Sequence, residues 1–532
     1  MKYRLTYLLV SMMFYSAFCF SQKNYTTVLQ KSNNENWWGG VVAYGSQMPY
    51  IKPVAEFNLA LQHGNNQVVP LFLSDKGRFI WSDKPFRFEV KEDFIEIHSE
   101  YEQIEVQQAG TTLREAYLSA SSKNFPPSGV LPETLFFTMP QYNTWIELMY
   151  NQNQNDILDY AQNIVASGLP EGVLMIDDNW QKYYGNFEFK AEKFSDPKAM
   201  VEKLHNMGFK IMLWVCPFVS ADTQEYRELE EKNFLIKAKG ENRPAIIKWW
   251  NGQSACYDLT NPQARDHYIA QLKKLQSEYG IDGFKFDAGD NSFYDPKKID
   301  SYQKDAISTD HVLAWQKIGL QFPFNEYRAG WQMGGQALVE RLGDKRYSWD
   351  AVQALIPEML AAGLLGYPYT CPDMIGGGSF ADFLNIKSDE FDQTLIVRSA
   401  QIHALMPMMQ FSVAPWRVLS KENLDIVVKM GKLHQSFGDY ILQYAKIASQ
   451  TGEPIVRHME YSFPGQGFAQ CTDQFMLGEK YMVAPIITAE NIREVKLPKG
   501  KWKDDAGKSY KGGKTYTIEV PLSRLLYFEK VK

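Results

Sequence analysis

Gly283-Phe284-Lys285-Phe286-Asp287-Ala288-Gly289-Asp290 is the stretch on which the fold turns. Four strand-like residues run into an acid, and two small residues then lead to a second acid. A helix comes just before them. Asn261 suits its N-cap, Pro262 its first position, and Gly280 stands where a left-handed stop belongs. The same texture recurs upstream. Gly172-Val173-Leu174-Met175-Ile176 runs into Asp177 and Asp178. Phe209-Lys210-Ile211-Met212-Leu213-Trp214-Val215 follows a helix that opens at Ser195 or Asp196 with Pro197 and ends near Gly208. Short apolar runs alternating with amphipathic helices over residues 132–416 predict a parallel sheet, and the length suits a (β/α)8 TIM barrel.

Outward from the barrel the texture changes on both sides. Residues 22–131 hold short alternating runs such as Phe79-Ile80-Trp81 and Phe94-Ile95-Glu96-Ile97, which predict an antiparallel β-sandwich. Residues 417–532 begin helical and end in short strands and turns, as in Leu497-Pro498-Lys499-Gly500 and Lys511-Gly512-Gly513. That predicts a C-terminal β domain, so the expected class is α/β, a barrel between two β regions. Residues 1–21 read as a signal peptide: Lys2 and Arg4 precede an uncharged, mostly apolar run from Leu5 to Phe20. Export to the periplasm or the medium is therefore expected. Cys19 offers a lipid-anchor reading, but Phe18 before it is bulky where a small residue is wanted. No later run approaches the ~20 apolar residues of a membrane span.

The chain has 532 residues, of which 45% are hydrophobic and 22% charged, with a net charge of -6. This is a globular composition, and it argues against disorder, coiled coil and a nucleic-acid partner, whose binders carry a basic patch. Cys216, Cys256, Cys371 and Cys471 follow the leader in a spacing that matches no zinc pattern, and the chain holds 8 His. Neither a metal nor another cofactor is expected. Export permits disulfides, but four cysteines in so long a chain read as buried free thiols.

Acids cluster at the C-terminal ends of the expected barrel strands, where barrel enzymes place their chemistry. Asp177, Asp178, Asp287, Asp290, Asp344 and Asp373 all stand there. One acid at a strand end is commonly a helix cap; acids at four strand ends need a further reason. Paired carboxylates among aromatics, without metal ligands, are the equipment of glycoside hydrolysis: one nucleophile and one acid.

Asp282 to Asp290 resembles the nucleophile motif of glycoside hydrolase family 31, retaining α-glycosidases built on a (β/α)8 barrel. Further segments agree in order. Tyr257-Asp258-Leu259-Thr260-Asn261-Pro262 is similar to the segment before the nucleophile strand, and Arg328-Ala329-Gly330 to the substrate-binding arginine segment. Gly343-Asp344, with Trp349 beyond, resembles the acid/base motif, and Asp373-Met374-Ile375-Gly376-Gly377 the family's Asp-Ile-Gly-Gly. The tail, Val483-Ala484-Pro485-Ile486 through Leu497 to Trp502, is similar to the family's C-terminal β domain. The resemblance implies Asp287 as nucleophile and Asp344 as acid/base, about 5–5.5 Å apart. It implies a glycoside or oligosaccharide substrate, with Asp177, Asp178 and Asp373 binding ring hydroxyls. Lys285, two residues before Asp287, points the same way from its strand, where it can hold Asp287 ionised and reach a sugar hydroxyl. Arg328 offers a fork to vicinal oxygens, with a surface ion pair as the alternative. Trp214 and Trp249 are expected to wall the sugar, unless they are core residues that need only a partner for the indole N–H.

Departures from the common pattern bear on the sugar. Typical α-glucosidase members read Asp-Met-Asn-Glu where this chain has Asp287-Ala288-Gly289-Asp290. Many carry a sugar-binding His after a late barrel strand, where this chain reads Met408-Met409-Gln410-Phe411-Ser412, with His403 a little earlier. Glu340-Arg341-Leu342-Gly343 lacks the usual Trp. With Trp37-Trp38-Gly39-Gly40, these features resemble the branch that holds the animal myogenesis-regulating glycosidase and bacterial α-galactosidases. An α-galactosidase is expected, with an α-glucosidase or α-xylosidase as the alternative.

Overall fold

The computed structural model describes residues 24–61 and 66–531; the expected signal peptide lies outside the described residues. The barrel is present. Its eight parallel strands are β1 (Gln141–Asn143), β2 (Val173–Ile176), β3 (Lys210–Val215), β4 (Gly283–Phe286), β5 (Phe324–Tyr327), β6 (Glu340–Arg341), β7 (Thr370–Cys371) and β8 (Gln410–Phe411). They lie side by side in chain order, with β8 paired to β1. A single parallel bridge between Met374 and Gln410 joins the β7 end to β8 and nearly closes the ring. Burial on every residue of β2 and β4 explains why these strands read as continuous rather than alternating runs.

The crossover helices start and stop where their punctuation demands. Pro262–Tyr279 is capped by Asn261, whose side chain accepts from the Gln263 N–H, and it ends on Gly280 at φ 78°. Pro197–Asn206 is capped by Asp196. Gly283 then opens β4, because a Cβ there would lie 2.0 Å from the Phe324 carbonyl oxygen. The β4–β5 wall is filled by Phe286, stacked on Tyr327 at 4.7 Å.

Between β5 and β6 a strand replaces the usual helix. Gly330–Trp331 pairs in parallel with the N-terminal strand Gln67–Ser74, Gly330 opposite Gln67 and Trp331 opposite Val68. Gln67–Ser74 also pairs with Trp37–Val41 and Arg78–Trp81, and a second antiparallel sheet carries Tyr25–Gln30, Phe94–Ser99, Arg87–Val90 and Val54–Asn58. Phe72 and Phe88 meet edge to face at 5.0 Å between these sheets. Residues 22–131 also form a helix that their strand-like reading did not foresee, Leu113–Asn124, capped by Thr112.

The long helix Lys421–Thr451 follows β8 and packs on Gln393–Ala404, in the helical ring around the barrel. The β strands beyond it enclose a separate small core around Trp502, Met482 and Phe528. No helix among the described residues is long and apolar enough to cross a membrane.

Candidate active site

The C-terminal strand ends surround a cavity of about 360 Å³, inside the usual range for a small-molecule site. Asp177, Asp178, Trp214, Lys285, Asp287, Arg328 and Asp344 all line it. The structure thus brings together seven of the residues singled out from sequence.

Asp287 ends β4. Its Oδ2 accepts from Trp214 Nε1 at 3.0 Å, and its Oδ1 accepts from Arg328 Nε at 3.0 Å and the Ala288 N–H at 2.9 Å. Ala288 and Gly289 both take positive φ, 57° and 74°. Arg328 Nη2 then donates to Asp290 Oδ2 at 2.9 Å. Arg328 is buried and forks between two carboxylates of its own protein, so it is not a surface ion pair. Burial alone would raise the Asp287 carboxyl. The charges of Arg328, then Lys285 and Arg341, outweigh it and hold Asp287 well below the ordinary carboxylate range.

Lys285 Nζ donates to Asp177 Oδ2 at 2.6 Å, and both side chains are buried. Asp178 accepts on Oδ2 from Asn251 Nδ2 at 2.7 Å and from the Tyr184 hydroxyl at 3.1 Å. Its Oδ1 is buried, with no hydrogen-bond partner among the described residues. Burial, then the neighbouring charge of Asp177, pushes the Asp178 carboxyl up to about 7. Asp344 is different: its side chain is 42% exposed, and Oδ1 accepts from Arg341 Nη1 at 2.9 Å. A carboxyl this exposed can exchange protons with a bound ligand and with water.

Two expected ligands are not at the cavity. Asp373 is fully buried; its Oδ1 accepts from Arg341 Nη1 at 2.5 Å and its Oδ2 from the Lys345 N–H at 2.7 Å. Both oxygens face protein donors, so the ring-hydroxyl role is withdrawn. Trp249 is buried too, stacked on Phe218 at 4.4 Å with its indole N–H on Ser254 Oγ at 3.1 Å. The next residue, Trp250, lines the cavity, 50% exposed, with its ring 5.3 Å from the Arg328 guanidinium carbon. They sit at the turn of the antiparallel hairpin Ile247–Trp249 and Gly252–Cys256. Adjacent residues there face opposite ways, and a one-residue misreading exchanges core for cavity.

Sequence reasoning missed Trp145, Tyr150 and Phe380, which meet one another edge to face at 5.4–6.0 Å and line the same cavity. It also missed Arg341, whose signal was a charged residue in place of the expected Trp. No polar group from β8 lines the cavity. Gln410 Nε2 donates to Glu326 at 2.8 Å, Ser412 Oγ accepts from the Ile146 N–H at 2.7 Å, and His403 is fully buried. Among the described residues no group of three or more His, Cys, Asp or Glu is placed to hold a metal ion. Among the described residues Cys216, Cys256, Cys371 and Cys471 are free, the first three of them buried.

The sequence model "Glycosyl hydrolases family 31 TIM-barrel domain" matches residues 137–443, more than half of the chain. The chain belongs to glycoside hydrolase family 31. That family's C-terminal domain matches residues 452–530. The chain is 32% identical over 415 residues to the mouse myogenesis-regulating glycosidase, covering 76% of this chain and 57% of that protein. It is 24% identical over 543 residues to an α-xylosidase of Emericella nidulans, covering 94% and 66%. This family 31 chain therefore spans little more than half of the mouse relative. Its fold matches the family 31 dextranase of Flavobacterium johnsoniae, solved with glucose, at a TM-score of 0.84 and 20% identity over 95% of this chain and 66% of that one.

Proposed function

We propose that this family 31 chain is an exported, retaining exo-α-glycosidase that releases terminal α-galactose. The observation that carries the reaction is the pairing of an ionised Asp287, held by Arg328 and Trp214, with a solvent-reached Asp344 at one cavity. Asp287 attacks the anomeric carbon as Asp344 protonates the departing oxygen, giving a glycosyl ester on Asp287. Asp344 then takes a proton from water, whose oxygen displaces Asp287. Two displacements return the α configuration. Arg328 and Trp214 orient the nucleophile, while the aromatic side chains of Trp145, Tyr150, Trp250 and Phe380 bound the cavity and suit the apolar faces of a sugar.

The galactose reading rests on which polar groups are offered. Galactose differs from glucose in the axial 4-hydroxyl, so discrimination needs donors or acceptors near that corner. Asp178 and the Asp177–Lys285 pair line the cavity, whereas β8 offers no polar side chain to it. A site built around one hydroxyl rejects the wrong epimer because its own polar groups are left buried and unpaired. An α-glucosidase or α-xylosidase of the same mechanism is the second reading, favoured by the name of the Emericella nidulans relative.

Initial rates on aryl α-galactoside, α-glucoside and α-xyloside test the sugar. The galactoside is expected to lead by at least ~100-fold in kcat/KM, or about 2.7 kcal/mol. A faster glucoside or xyloside replaces the sugar and leaves the two-aspartate mechanism standing. Proton NMR of the first product is expected to show the α anomer, and a β anomer would overturn retention. The export reading rests on residues 1–21 alone; N-terminal sequencing of the secreted protein is expected to begin near residue 22, and a lipidated Cys19 would replace it.

A further inference from the structure

Arg341 organises the acid side of the cavity. It is 1% exposed on β6 and faces three carboxylates. Nη1 donates to both Asp344 Oδ1 at 2.9 Å and Asp373 Oδ1 at 2.5 Å, and Nε lies 3.5 Å from Glu326 Oε1. Glu326 and Asp373 are buried, and only Asp344 reaches solvent. One cation among three carboxylates leaves two surplus negative charges if all ionise, and burial and like-charge repulsion both oppose that. The other groups around them do not remove the surplus. Lys345 gives Asp373 its backbone N–H, but its ammonium is paired to Glu358. The Cys371 thiol donates to the Asp373 carbonyl oxygen at 3.6 Å, and Gln410 donates to Glu326. Lys285, the register partner of Glu326 on the adjacent strand, and Asp287 act on this cluster with opposite signs, and Arg328 faces Asp344 while paired to Asp287 and Asp290.

Resting on the reading of Asp344 as acid/base, we propose that Asp373 is a positioning residue that keeps the reactive proton on Asp344, the two carboxyls holding one proton between them across the shared Nη1 of Arg341. Asp373 touches no substrate. Its charge opposes ionisation of Asp344 until the leaving oxygen takes the proton. The balance through the first step is even. Before it, Asp287 carries one negative charge and the Asp344–Asp373 pair another. After it, Asp287 is a neutral ester and the pair carries both, the proton having gone to the departing alcohol. The Arg341 charge acts on Asp287 and pairs with both carboxyls, and so stabilises each distribution. The second step returns one proton from water to the pair. In support, both Asp373 oxygens accept from protein donors, Arg341 Nη1 and the Lys345 N–H, an arrangement that favours its charged form. Gly378 packs close against both carboxyls: a Cβ there would lie 2.9 Å from Asp373 Oδ1 and 3.2 Å from Asp344 Oδ1.

The test is the pH profile of Asp373→Asn on a glycoside with a poor leaving group. With Asp373 neutral, Asp344 faces the Arg341 cation alone and ionises more readily. The basic limb of kcat/KM is expected to move down by about one pH unit, a tenfold loss at a fixed pH on that limb. Activated aryl glycosides, which need little proton donation, are expected to keep their rate. A folded Asp373→Asn with an unmoved basic limb overturns the proposal, while Asp344→Ala still reports separately on the acid/base reading through its leaving-group dependence. If Asp373→Asn does not fold, infrared titration of the wild type decides. A protonated-carboxyl band that titrates across neutrality and shifts in Asp344→Asn upholds the shared proton, and the absence of such a band overturns it.

Discussion

The Lys285 ammonium donates to Asp177 at 2.6 Å and ties the end of β4 to the end of β2 across the intervening β3. Both side chains are almost wholly buried, 4% and 3% exposed. Lys285→Met strands the Asp177 charge in the barrel mouth, and a loss of about 3–5 kcal/mol is expected in denaturant unfolding. It also removes one of the cations that depress Asp287. The folded-state pKa of Asp287 then rises, so the acidic limb of kcat/KM moves to higher pH. An unmoved acidic limb would assign the ionisation of Asp287 to Arg328 and Arg341 alone.

Trp249 and Trp250 are neighbours with opposite surroundings, and their alanine variants separate core from cavity. Trp249→Ala is expected to cost about 3–5 kcal/mol of stability by leaving a hole against Phe218 and Tyr184. Trp250→Ala leaves stability within about 1 kcal/mol. It lowers kcat/KM roughly tenfold, as a wall of the cavity and the ring over Arg328 are lost. Thermal melts beside steady-state rates read both, and the reverse pattern would return Trp249 to the site.

Asp287→Ala is expected to lose almost all turnover, and azide to restore part of it by attacking the anomeric carbon from outside. Asp344→Ala loses most with poor leaving groups and far less with activated aryl groups, because only the former need its proton. Equal losses on both would remove Asp344 from the acid role.

The pH dependence of stability carries a sign set by Asp178. Its carboxyl is raised to about 7 in the fold, against about 3.9 in the unfolded chain. The folded state therefore holds the proton more tightly. Stability from this group is full below about 4 and falls as pH rises toward 7, by up to about 1.4 kcal/mol per unit. Asp178→Asn has no such slope. Its melting temperature is expected to gain on the wild type between pH 5 and pH 8, and parallel curves would mean that Asp178 is ionised throughout.

The barrel was legible because several of its strands are short buried runs, four of them leading into acids, with Asn261, Pro262 and Gly280 marking a helix boundary on either side. Asp287 and Asp344 were legible as strand-end carboxylates in a recognisable order. Side-chain direction at a hairpin turn was not, because Trp249 and Trp250 differ by one position and nothing local sets which one faces in. Asp373 was misplaced for another reason: sequence shows an acid at a strand end but not that Arg341 and the Lys345 N–H already occupy both of its oxygens. The ring of Trp145, Tyr150 and Phe380 joins residues more than two hundred positions apart, with no spacing to betray it.

The seam between β5 and β6 is sewn from a distance. Gln67 donates to the backbone carbonyl oxygens of Arg328 at 2.7 Å and Arg341 at 3.2 Å, the two cations that serve Asp287 and Asp344. Residues before the barrel therefore act as its missing panel. A barrel grafted onto a foreign N-terminal segment would lose the scaffold of both arginines at once, so the first β region and the barrel form one structural unit at this seam.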